Sequence, residues 1–147
     1  METKLDKNMI DELRDFILSI EKGFQGDFEV IEIHPEKNLT FFKRLKELKG
    51  HNELSLQFYS VFPEDLGWKH FLKLQQLKNQ NSFFISFQQP EKKPVHSLQE
   101  VFMNIRAYEQ EFSDRFGIEY LTEAGPLAEI SGQFFCFASE TKQTRTH

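Results

Sequence analysis

Residues 97–120, SLQEVFMNIRAYEQEFSDRFGIEY, constrain this chain more than any other stretch. They join a helix-start signal, an apolar stripe at helical spacing, a dense acidic cluster and a glycine stop. Ser97 and Glu100 have the Ser-x-x-Glu spacing of a capping box, in which hydroxyl and carboxylate satisfy free backbone donors at a helix N-terminus. Leu98, Val101, Phe102, Ile105, Tyr108, Phe112 and Phe116 recur at three- and four-residue steps, which puts them on one helix face. Gly117 comes directly after the last of them, where a left-handed residue can end a helix without a Cβ penalty. The spacing therefore predicts one amphipathic helix packed on a core. Its opposite face should carry Arg106, Glu109, Gln110, Glu111, Asp114 and Arg115.

The rest of the chain supplies what such a helix can pack on. Residues 8–22 place Ile10, Leu13, Ile17 and Ile20 on one face, which reads as a first helix ending near Gly23. Residues 28–33 are rich in β-branched side chains and read as a strand stopped by His34 and Pro35. Asn38 caps a second helix with Phe41, Phe42, Leu45 and Leu48 inward and Gly50 as its stop. Residues 54–62, 68–74 and 82–88 read as three meander strands, the first turn lying at 63–67. The last of the three is apolar on both faces, as a central strand would be. A final strand is expected at 134–138 and a disordered polar tail at 140–147. This order predicts a single α+β domain over residues 1–139, an antiparallel or mixed sheet of about four strands with helices packed on it.

Composition excludes several function classes. A chain of 147 residues is long enough for one core, and its 17 phenylalanines bring large apolar area to it. The net charge of −5 and the absence of a basic stripe argue against nucleic-acid binding. Cys136 is the single cysteine, which rules out an internal disulfide and fits a reducing compartment. No apolar run approaches bilayer-spanning length and no secretory signal opens the sequence, so a cytoplasmic protein without direct membrane insertion is expected.

No catalytic, cofactor-binding or metal-binding set emerges. His34, His51, His70, His96 and His147 sit singly, without the i, i+4 pairing of a helical metal site. His70, between Lys69 and Phe71, is expected to face solvent or to pack rather than to ligate. Cys136 among Phe134, Phe135 and Phe137 reads as an inert thiol, since a nucleophile needs an electropositive, exposed setting. The seven glycines are dispersed, so no phosphate loop exists, and one cysteine cannot hold an iron–sulfur cluster. Glu109 and Glu111 lie about 200° apart around a helix, which separates them as a carboxylate pair. Glu111 and Arg115 have the spacing of an ordinary i, i+4 ion pair.

The order of residues in this segment resembles the signature of the thirty-kilodalton subunit family of respiratory complex I and of its relatives in membrane-bound [NiFe] hydrogenases. Ser97, Leu98, Val101, Phe102, Tyr108, Glu109, Glu111, Asp114, Phe116, Gly117, Ile118 and Tyr120 fall in register with that pattern without a gap. Ala107 stands where the family usually has tryptophan, Gln110 where it has arginine and His96 where it has proline. After Tyr120 the family continues into a His-Pro segment with paired arginines, whereas residues 125–130 here read GPLAEI. The chain thus resembles a divergent member.

What the resemblance implies is an α+β scaffold without cofactors in the soluble arm of a redox complex. Its partners would be the large catalytic subunit and other subunits of that complex, with peripheral attachment to the inner membrane face through them. The implied partner interface is the acidic segment, with Tyr108, Glu109, Glu111, Asp114 and Arg115 as contact or supporting residues. Some phenylalanine rings, for instance one of the Phe83–Phe84 pair or of Phe134–Phe135, are also expected to face a partner. Two other readings stay open: a stand-alone adaptor that kept the fold but left the redox assembly, and a small-ligand enzyme whose site is dispersed in sequence.

Overall fold

A computed structural model describes residues 7–22, 29–49, 53–65, 67–78, 82–90, 92–122 and 125–126. The strand expected at 134–138, the tail at 140–147 and Cys136 lie outside the described residues. The described residues open with α1 (Lys7–Glu12), a 3-10 turn at Arg14–Phe16 and strand β1 (Ile17–Lys22). Next come β2 (Glu29–Ile33), a 3-10 turn at Pro35–Lys37 and α2 (Asn38–Lys49). The meander β3 (Leu54–Glu64), β4 (Gly67–Gln76) and β5 (Ser82–Pro90) follows. The C-terminal part holds β6 (Val95–His96), a 3-10 turn at Met103–Ile105, α3 (Arg106–Phe116), β7 (Tyr120–Thr122) and β8 (Gly125–Pro126).

Among the described residues the main sheet has five strands in the order β1-β2-β5-β4-β3. Every neighbouring pair is antiparallel except β2 with β5, where Val30, Ile31 and Glu32 align in parallel with Phe84, Ile85 and Ser86. β5 is the central strand, in keeping with its apolar character on both faces. The α+β class and the meander agree with the sequence reading, while the sheet has one strand more.

That extra strand corrects the first helix. The helix expected over residues 8–22 stops at Glu12, and Ile17–Lys22 pairs with β2 instead, Ile17 opposite Ile33 and Ile20 opposite Ile31. The apolar spacing from Ile10 to Ile20 suits a helix, but the outer edge of β2 offers those isoleucines a partner strand. Tertiary pairing overrides the local pattern. At β3 the correction is smaller: Pro63 and Glu64 continue the strand, and the reversal sits at Asp65 with φ 55°.

The core lies on one face of the sheet. Alternate strand positions Tyr59, Leu72, Leu74, Phe83, Ile85, Ile31 and Ile33 are buried with Phe41, Phe42 and Leu45 of α2. Asn38 is fully buried at the start of α2: its Oδ1 accepts the Leu39 amide proton at 2.7 Å, and its Nδ2 donates to the His96 carbonyl at 3.1 Å. This one side chain joins α2 to β6. Edge-to-face rings continue the core, Phe41 against Phe42 at 5.1 Å and Phe42 against Phe102 at 5.7 Å. Phe83 belongs to this core, whereas Phe84 is half-buried beside Phe71 at 5.8 Å. Among the described residues no helix is long and apolar enough to cross a membrane.

Candidate partner-docking site

The signature segment folds in two pieces. The expected capping box does not form, and the α-helix starts at Arg106 rather than near Ser97. Glu100 pairs with Lys43 of α2 at 3.0 Å. The Ser97 hydroxyl instead donates to Glu109 Oε1 at 2.6 Å, while Glu109 Oε2 accepts the Leu98 amide proton at 2.8 Å. Gln99 Nε2 adds a third donor at 3.3 Å. One carboxylate from the helix thus collects three donors from residues 97–99, while the Ser97 N–H that a capping box would have satisfied donates to the Leu121 carbonyl at 2.8 Å. The intervening chain makes a single turn, with Phe102 N–H donating to the Leu98 carbonyl at 2.9 Å, and then an extended residue at Phe102. Leu98, Val101, Phe102 and Ile105 are buried despite this break.

Glu109 is therefore not on the solvated face where its spacing put it; it is 1% exposed. Burial pushes its carboxyl above the usual range, and the bonds from Ser97, Leu98 and Gln99 pull in the opposite direction. The correction has a clear cause. Glu109 lies one residue after Tyr108, on the inward flank, and its negative charge is met by three donors from residues 97–99.

Tyr108 and Phe112 also point inward. Their rings approach Tyr59 of β3 at 6.0 and 5.1 Å, and Phe116 reaches Trp68 of β4 at 5.1 Å. Gly117 ends the helix with φ 73°, its N–H donating to the Ser113 carbonyl at 3.0 Å. The glycine stop is thus where the sequence places it.

The outward face holds the other expected residues. Glu111 and Arg115 pair at 3.0 Å, and Gln110 Nε2 donates to Asp114 Oδ1 at 3.1 Å. Ala107, Gln110, Glu111, Asp114 and Arg115 together line a shallow surface concavity. Of the five interface candidates, the structure gathers Glu111, Asp114 and Arg115 on one exposed surface and turns Tyr108 toward Tyr59 of β3 and Glu109 toward residues 97–99.

Sequence reasoning missed a second polar group under the helix. His70 of β4 is fully buried, hydrogen-bonded to the Tyr59 hydroxyl at 2.7 Å and to Gln89 Oε1 at 2.8 Å. Tyr59 in turn bonds to the Tyr120 hydroxyl at 2.8 Å. The imidazole stacks on Phe87 with centroids 4.6 Å apart. Burial drives His70 down to about 4, against the raising effect of its bond to Gln89, and raises both tyrosines. The missed signal was parity: His70 lies two residues before Leu72 and four before Leu74, so it shares their inward face. Among the described residues, no group of three His, Cys, Asp or Glu side chains is arranged to hold a metal ion.

No protein-family model matches the chain, and no curated protein matches it. Its fold is similar to that of a chain in the structure of the membrane-bound sulfane sulfur reductase, an archaeal respiratory membrane complex. That match has a TM-score of 0.62 at 12% identity and covers 78% of this chain and 66% of the other, a little under two thirds of its length. The likeness is one of fold, shared with a chain of that respiratory membrane complex.

Proposed function

We propose that this protein is a non-catalytic accessory subunit in the soluble arm of a complex-I-like or membrane-bound hydrogenase-type assembly, where it braces the large catalytic subunit. The observation that carries this reading is the fold likeness to a chain of a respiratory membrane complex, coupled with the in-register resemblance of residues 97–120. Its mechanism is positional. The inward face of α3 holds the helix to the sheet through Tyr108 and Phe112 against Tyr59 and to residues 97–99 through Glu109, and the outward face offers Glu111, Asp114 and Arg115 to the neighbour. Exposed charges of this kind set register and orientation more than raw affinity. Redox centres belong to the neighbouring subunits, and attachment to the membrane is peripheral, through the complex.

Affinity purification of a tagged copy from its own cells tests this reading. Recovery of a large hydrogenase-like or complex-I-like catalytic subunit is expected, and recovery of the chain alone would contradict it. The second reading, a stand-alone adaptor, is favoured by the altered segment after Tyr120, where the histidine and paired arginines of the resembled family are replaced by GPLAEI. Genes for redox subunits beside this one would support the first reading, and unrelated neighbours the second.

A further inference from the structure

The buried polar group beneath α3 has a direction that its partners dictate. Gln89 Nε2 donates to the Lys93 carbonyl, an atom that can only accept. Its Oε1 is therefore the atom facing His70 Nε2, which must carry the imidazole proton. His70 Nδ1 is then an acceptor and takes the Tyr59 hydroxyl proton, and the Tyr59 oxygen accepts from Tyr120. None of these four side chains belongs to a residue more than 4% exposed. The chain crosses β7, β3, β4 and β5 and ends on the loop before β6.

We propose that this chain is an acid-sensitive latch, which fastens the C-terminal layer of β6, α3 and β7 over His70 and which a proton on Nδ1 opens. Protonation sets a donor against a donor. Tyr59 must then turn its own proton toward Tyr120, and the Tyr120 proton has to leave the pair, where Tyr59 is its one hydrogen-bond partner among the described residues. The new charge is also enclosed by rings, Phe87 stacked at 4.6 Å and Tyr59 at 5.8 Å. Lifting the layer relieves both problems, because water can then solvate the imidazolium.

The groups around the imidazole leave His70 as the one that drives opening in acid. Val61 of β3 and Phe87 of β5, its register neighbours, do not ionise. Lys93 contributes its backbone carbonyl. Glu109 of α3 acts electrostatically on both tyrosines but makes no hydrogen bond to the imidazole. Its carboxyl is raised, so its contribution is full below the ordinary value of 4.5 and is lost as pH rises, the opposite sense. Neutral His70, lowered to about 4, contributes fully above its ordinary 6.5, and this is lost as pH falls between those values. A layer-open state with ordinary titration then gains population by about tenfold for each pH unit in that window.

Hydrogen exchange on the full chain, read by NMR, tests the latch without any partner. The reporters are the Val95 and Ser97 amides, which donate to the carbonyls of Glu119 and Leu121 and so hold β6 to β7. Their protection factors should fall about tenfold per pH unit below 6.5, while amides between β4 and β5 keep theirs. Imidazole nitrogen shifts should show the Nε2–H tautomer and no titration above about pH 5. His70→Gln should flatten the pH dependence. Tyr120→Phe, which leaves His70 in place, should lower layer protection about tenfold at neutral pH and spare the sheet. The proposal is overturned if wild-type layer protection does not change between about pH 6.5 and pH 4.5, or falls in step with the sheet. Wild-type layer protection in Tyr120→Phe would overturn it equally, whether or not His70→Gln folds.

Discussion

Glu109 and Glu111 stand two residues apart on α3 and have opposite fates. Glu109 is buried, bonded to three donors from residues 97–99, and its carboxyl is raised by desolvation. Glu111 is exposed and pairs with Arg115, itself more than half exposed. The same side chain is a structural rivet on one face and a solvated surface charge on the other. The difference teaches that acidic density in a helix does not by itself mark a surface. What matters is which carboxylate finds donors fixed by the rest of the fold.

Substitutions can break this contrast in graded steps. Glu109→Ala should have the largest effect, about 3 kcal/mol in urea-unfolding stability, because it leaves the Ser97 hydroxyl and Leu98 N–H buried without an acceptor. A loss under about 1 kcal/mol would show that water reaches those donors. Ser97→Ala removes one donor and keeps the carboxylate, and should cost about 1.5 kcal/mol by the same measurement. Gly117→Ala should cost about 1 kcal/mol through φ 73° alone, since a Cβ there would touch nothing within 4 Å. The smallest change is expected from Glu111→Ala, under about 0.5 kcal/mol in thermal or urea unfolding, as for other exposed ion pairs. Equal losses at Glu109 and Glu111 would erase the distinction between the faces.

The two faces were not equally legible in the sequence. Helix α2, the meander and the Glu111–Arg115 pair follow from local rules, because their partners lie within a turn or across a short reversal. The Ser97 cap was misread since its true partner is twelve residues away, and the Ser-x-x-Glu spacing carries no information about Glu109. β1 was misread for a related reason: Ile17 and Ile20 satisfy helical spacing, yet Ile33 and Ile31 of β2 lie opposite them. His70 could have been placed inward from its parity with Leu72 and Leu74. Its pairing with Tyr59, Tyr120 and Gln89 could not, because it joins four strands whose register the sequence does not state.

The account rests on the outward face of α3 being the surface that meets a larger redox subunit. Tagged wild-type chain and Glu111→Lys, purified in parallel from the native cells, test that claim most directly when the recovered large subunit is quantified beside the melting temperature of each chain. The account predicts that the wild type brings down a large catalytic subunit in near-equal amount, and that Glu111→Lys loses it while melting within a few degrees of the wild type. Equal recovery by both chains at equal stability would contradict the role given to this face, and failure of the wild type to recover a large subunit would contradict the assembly itself.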